Sequence, residues 1–90
     1  MDIHQKIQRD KNQLFATIDN EVVMLSIENG KYYGLNSIAS DVWAILEEPA
    51  TIAQVVDRLM DDYVVDRETC TADVCELIDE LYGQKLIILA

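Results

Sequence analysis

Few residues in this chain could do covalent or metal chemistry, and their spacing argues against it. The single histidine, His4, sits in a polar stretch at the start of the chain. A Ser or Cys nucleophile needs a base held in place by the fold, and a histidine in a frayed polar arm cannot serve. The two cysteines are Cys70 and Cys75. On one helix, five residues apart, they would point roughly 140° away from each other, with their Cα atoms beyond disulfide reach. A Cys-x4-Cys pair with no further Cys and no nearby His is not a zinc pattern. Both thiols are therefore expected to be reduced and partly buried, as in a cytosolic protein. The carboxylates are numerous, but they fall on helix faces and turns, where solvation is the ordinary reading. Three scattered glycines make no phosphate-cradling loop. The inventory predicts no catalytic residue, no metal and no cofactor, and so a chain that works by binding.

Charge narrows the kind of partner. The chain carries a net charge of −10 over 90 residues. Lys6, Arg9 and Lys11 against Asp2 and Asp10 leave the first eleven residues slightly basic, so the rest is more acidic than the average. Such a surface repels phosphate backbones and favours basic or neutral partners. Two helices beside a small sheet resemble a DNA-binding winged helix-turn-helix. The candidate recognition helix, T-C-T-A-D-V-C-E-L-I-D-E-L-Y at 69–82, holds Asp73, Glu76, Asp79 and Glu80 and no Lys or Arg. That opposes the phosphate contacts such binding requires. No signal peptide pattern opens the chain, and no run approaches the roughly 18 apolar residues of a membrane span. A cytoplasmic protein with no nucleic-acid and no membrane partner is the expectation.

The elements that must carry a binding site can be read from periodicity. At 90 residues and 50% apolar content the chain suits one domain with one modest core. Residues 1–12 read as a flexible polar N-terminal arm and 13–90 as the folded domain. Leu14, Ala16 and Ile18 alternate with Phe15 and Thr17 as a first strand, and Val22 to Ile27 form a second. Asn29-Gly30 is the strongest hairpin signal, since both residues tolerate positive φ. Taken as a two-residue loop, it sets Ile27 opposite Tyr32, Ser26 opposite Tyr33, Leu25 opposite Gly34 and Met24 opposite Leu35. One face then carries Val23, Leu25, Ile27 and Tyr32, joined by Leu14, Ala16 and Ile18; being the more apolar, it is expected to pack on the helices. The other carries Met24, Ser26, Tyr33 and Leu35.

Three helices follow. Asn36 is an N-cap with Ala39, Val42, Trp43 and Leu46 at helical spacing behind it, and Pro49 ends that helix. Thr51 and Gln54 make a capping box for a second helix with Ile52, Val55, Val56 and Leu59 on one face. Tyr63-Val64-Val65 breaks it. A third helix starts between Asp66 and Thr69 and runs to about Tyr82, with Gly83 as its stop. The predicted fold is α+β and winged helix-turn-helix-like: a three-stranded antiparallel meander followed by three helices. The strand Lys31, Tyr32, Tyr33, Gly34 and Leu35 lies at the edge of that meander. An extended peptide can add itself to such an edge as a further strand. On the third helix, Asp73, Glu76 and Glu80 lie on one flank of the apolar stripe, where they could hold a Lys or Arg of the peptide. The plainer alternative makes Tyr32 core and the acids solvated. The exposed edge also invites a homodimer through the same strand.

G-K-Y-Y-G-L-N-S-I-A-S-D-V-W-A-I-L at 30–46, T-I-A-Q-V-V-D-R-L at 51–59, the break from Tyr63 to Asp66, and A-D-V-C-E-L-I-D-E-L at 72–81 follow one another in a familiar order. In these residues the chain resembles the PqqD-like proteins, the peptide-recognition elements of pathways that modify ribosomally made peptides (RiPPs). The resemblance implies a non-catalytic domain that binds the precursor's leader segment between the third strand and the third helix. Carried onto this chain, the edge is Lys31 to Leu35 and the wall is Asp73, Val74, Glu76, Leu77 and Glu80. It implies presentation of the leader to a maturation enzyme. In lasso-peptide biosynthesis, the preferred reading, that enzyme is a cysteine-protease-like leader peptidase; a discrete domain suits this pathway and the next alike. In pyrroloquinoline quinone synthesis it is a radical SAM enzyme. A winged-helix DNA-binding protein or a scaffold subunit are the readings outside the family.

Overall fold

The computed structural model describes residues 2–11, 14–19, 21–26 and 30–90. Strand β1 (Lys6–Arg9) is followed by β2 (Leu14–Ile18), β3 (Glu21–Ser26) and β4 (Lys31–Gly34). Helix α1 (Ser37–Ile45), strand β5 (Ala50–Thr51), helices α2 (Ile52–Asp62) and α3 (Arg67–Gly83), and strand β6 (Ile87–Leu89) complete the chain. The meander β2-β3-β4 is present as a three-stranded antiparallel sheet, and the three helices follow it. The fold is α+β, as the run of strands before helices implied.

The helices begin where the sequence places their caps. The Asn36 side chain accepts from the Ala39 N–H at 2.9 Å. Thr51 and Gln54 exchange both capping-box hydrogen bonds. Asp66 accepts from the Thr69 N–H at 3.0 Å and starts α3. Gly83 proves to be the last helical residue; Gln84 is the C-cap, and Lys85 takes the left-handed backbone with φ 61°.

A second sheet was not legible. Strand β1 lies between β5 and β6, with Ile7 opposite both Ala50 and Leu89. Ile7 is 0% exposed. The stretch expected to be a flexible arm is thus, from Lys6 to Arg9, the central strand of a three-stranded sheet. Only one apolar residue marks it, and its partners lie far along the chain, so local periodicity gives no sign of it. The Arg9 guanidinium stacks on Phe15 at 4.9 Å and Trp43 at 5.4 Å, and donates to the Trp43 carbonyl, pinning the strand to α1.

The meander faces the other way from the expectation, and its register differs. The observed pairs are Val23↔Gly34, Met24↔Tyr33, Leu25↔Tyr32 and Ser26↔Lys31. This is two residues away from the register of a two-residue Asn29-Gly30 loop; Ile27, Glu28 and Asn29 lie outside the described residues. A buried hydroxyl holds the register from the opposite end. Ser40 Oγ accepts from the Val22 N–H at 2.9 Å and donates to the Leu35 carbonyl at 3.0 Å. A two-residue shift keeps every side chain on its own face, so the grouping of residues survives while the choice of buried face is corrected. Met24, Val22 and Leu35 are buried, Phe15 meets Trp43 edge-on at 5.7 Å, and α1 covers this side. Leu35 points inward and leads directly into the Asn36 cap, which puts α1 on the side of Met24 and Tyr33. Leu14, Ile18 and Tyr32 face outward, 57%, 58% and 74% exposed. Tyr32 is not core.

The core is centred on Trp43, with Val42, Leu46, Ile52, Val55, Val56, Ile78 and Leu86 fully buried around it. Among the described residues its indole Nε1 is a buried donor without a hydrogen-bond partner.

Candidate functional site: an open strand edge facing a helix

The free edge of β4 is built by the hydrogen-bond alternation of its own sheet. The Leu35 N–H donates to the Val22 carbonyl at 2.8 Å. In an antiparallel ladder bonded pairs alternate with unbonded ones, so Lys31 and Tyr33 turn their backbone groups toward β3. Tyr32 and Gly34 turn theirs outward. Among the described residues no strand pairs with that outer edge. Gly34 has open space around its Cα, with nothing within 4 Å of where a Cβ would stand.

Across from the edge stands α3. Between them lies a cleft of about 370 Å³ lined on the strand side by Tyr32, Tyr33, Gly34 and Leu35 and on the helix side by Leu77, Glu80, Leu81 and Gln84. Asn36, Ala39 and Leu86 complete it. The Tyr33 hydroxyl donates to Gln84 Oε1 at 2.6 Å and ties strand to helix. The cleft offers outward backbone groups on one wall, apolar side chains along its floor and the exposed Glu80 carboxylate beside them. That suits an extended peptide, whose backbone pairs with β4 while alternate side chains settle toward α3.

The residues expected at the site separate in the structure. Tyr32, Tyr33, Gly34, Leu35, Leu77 and Glu80 line one cleft. Lys31 pairs with Ser26, and its side chain does not line it. Asp73 and Val74 line a neighbouring apolar hollow of about 310 Å³ with Ile38, Tyr63 and Val64; Leu77 belongs to both. Val74 is buried and packs in the core. Glu76 is exposed and lines neither hollow. Asn36, Ala39, Leu81, Gln84 and Leu86 were not among the expected site residues. Asn36 and Ala39 read as cap and core, and Gln84 lies just past the expected helix end.

Two groups that line the neighbouring hollow, Cys70 and Tyr63, are structural. Burial pushes the Cys70 thiol above its ordinary value, so it stays protonated. The Tyr63 hydroxyl is also raised, chiefly because it donates to the Asp41 carboxylate. Among the described residues no group of three or more His, Cys, Asp or Glu could hold a metal ion. No described helix is long and apolar enough to cross a membrane.

The family described as Coenzyme PQQ synthesis protein D (PqqD) matches residues 21–87. The chain belongs to the PqqD family. The solved structure of TbiB1 in complex with the TbiA(beta) leader peptide is 32% identical to this PqqD-family chain, with a TM-score of 0.81 over 89% of this chain and 93% of that one. A lasso peptide synthetase B1 complexed with its leader peptide shares the fold at 23% identity, TM-score 0.79, over 91% and 96% of the two chains. So does the PqqD truncation of Methylobacterium extorquens PqqCD, a stand-alone RiPP recognition element, at 18% identity and TM-score 0.75, over 92% and 88%. No curated protein matches the chain.

Proposed function

We propose that this PqqD-family chain is a non-catalytic leader-peptide-binding protein of a lasso-peptide pathway. It takes the leader segment of a ribosomal precursor as an added β-strand along β4 and presents it to the leader peptidase in the cytoplasm. The observation that carries this reading is the outer edge of Tyr32 and Gly34, which no described strand pairs with, facing α3 across an apolar cleft. The 32% identical TbiB1 is solved with a leader peptide, which supports the same ligand class here. The lasso reading stands ahead of presentation to a radical SAM enzyme because the M. extorquens PqqD is more distant, at 18% identity. DNA binding is disfavoured by the carboxylates of α3, and its first-turn Arg67 is paired with Asp57 at 2.7 Å.

Titrating labelled protein with the leader segment, followed by amide NMR, tests the reading. Saturable binding with the largest shifts at Tyr32 to Leu35 and at Leu77 to Gln84 is the expected result. An intact fold that leaves the leader unbound, alone and with the peptidase present, would overturn it.

A further inference from the structure

The two walls of the leader cleft come from elements that are not neighbours in the chain: α1, β5 and α2 lie between β4 and α3. No turn between the walls sets the width of the cleft. Tyr33 spans it. This residue lies on the inner face of β4, half-buried against the core, and its hydroxyl donates to Gln84 Oε1 at 2.6 Å. Both residues line the cleft, and their bond is partly buried, where water competes for it less than at an open surface.

Each end of that bond is itself anchored. Gln84 is the C-cap of α3. The turn after it is closed by the Lys85 N–H on the Tyr82 carbonyl at 3.0 Å and the Leu86 N–H on the Leu81 carbonyl at 2.9 Å. With left-handed backbone at Lys85, this is a Schellman stop, whose two flanking apolar residues pack together; here they are Leu81 and Leu86, both buried. A lysine takes that backbone at some cost, so the surrounding contacts hold the turn. On the strand side, Ser40 Oγ donates to the Leu35 carbonyl at 3.0 Å and fixes β4 just past Tyr33. Gly34, with its outward N–H, sits between the two attachments. A site whose walls already stand at the right separation loses less binding free energy to ordering them.

We propose that Tyr33 and Gln84 are positioning residues for the leader: their hydrogen bond stays made when the leader binds and holds α3 at the distance from β4 at which the leader's inward side chains meet both walls. This rests on the leader-binding reading, and the test separates the two. Tyr33→Phe removes the donor, Gln84→Met removes the acceptor at nearly the same length, and Gln84→Glu keeps an acceptor. Thermal midpoints are measured first, and the affinity for a fluorescent leader then well below the lowest of them. Tyr33→Phe and Gln84→Met should each weaken leader binding about 3- to 10-fold, as expected for one hydrogen bond. The double variant should bind as weakly as either single one, because both remove the same bond. Gln84→Glu should stay within about twofold of wild type, and should give no restoration when combined with Tyr33→Phe. Lowered midpoints with unchanged leader affinity would make the bond structural only, overturning the proposal and leaving the leader site standing. Tighter leader binding by Tyr33→Phe would also overturn it, by making the bond a bar that the leader must break. So would losses that add in the double variant, since each residue would then act on the leader separately. A wild type that does not bind leader would overturn both readings.

Discussion

Replacing Gly34 with proline removes one N–H from the outer edge of β4 and nothing from its inner edge. Because Leu35, Tyr33 and Lys31 bond toward β3, the sheet's own ladder keeps its donors. Proline is tolerated on an edge strand for this reason. A leader carbonyl that paired with Gly34 is left without its donor. Losing the bond costs about 0.5–1.5 kcal/mol, and a stranded, desolvated carbonyl raises this to about 1–3 kcal/mol. The dissociation constant should rise about 5- to 150-fold. Gly34→Ala is the control: a Cβ there meets nothing within 4 Å and the N–H remains, so affinity should stay within about twofold. Fluorescence anisotropy with a labelled leader gives both values, and the amide spectrum shows whether each variant keeps its fold. A folded Gly34→Pro variant with wild-type affinity would refute strand addition at this edge.

Replacing Glu80 with alanine should weaken a Lys- or Arg-bearing leader by about 0.2–1 kcal/mol, since this acid lines the cleft and is exposed. Calorimetry at low and high salt should show the difference fading, whereas Glu76→Ala, off the cleft, should leave affinity unchanged. Ile7→Ala should lower stability by about 2–5 kcal/mol in urea unfolding, as for a fully buried aliphatic residue; a frayed arm would show no change. Asp66 caps α3 by accepting from the Thr69 N–H and hydroxyl, which hold its carboxyl below the ordinary range. A lowered folded pKa gives stability that is complete above the unfolded value, about 4, and lost as pH falls through the folded one. Unfolding midpoints followed below about pH 4 should therefore fall less steeply in Asp66→Asn than in wild type.

Local signals placed the helices well, because caps act within four residues. Asn36, Thr51 with Gln54, and Asp66 each bind a backbone N–H three residues on. The site strand was legible for a similar reason: a short aromatic run between a turn and an N-cap must end a meander. Three features were hidden because they depend on distant partners. The β1 strand has its partners at 50–51 and 87–89. The meander register is set by Ser40, on a helix beyond both strands. The choice of buried face went wrong because counting apolar residues favours Leu14, Ala16, Ile18, Val23 and Leu25. The side on which Leu35 enters α1 decides the matter, and that is a property of the connection. On α3 the sequence shows an acidic flank but not its neighbour; Glu80 reaches the cleft, and Glu76, four residues earlier, does not.

An open strand edge is a liability, since any extended chain can pair with it. Three features of this chain restrain that without closing the site. The strand is four residues long and exposes its outward backbone groups at only Tyr32 and Gly34, so the number of bonds an unselected strand can form is small. Lys31 stands at its start, a charge that discourages edge-to-edge pairing. The wall of α3, held to β4 through Tyr33 and Gln84, leaves a cleft that fits a single extended peptide more readily than the edge of another folded sheet with its own helix attached. Affinity must then come from side chains that fit between β4 and α3 as well as from the backbone, which is how an edge that reads no sequence becomes selective for one leader.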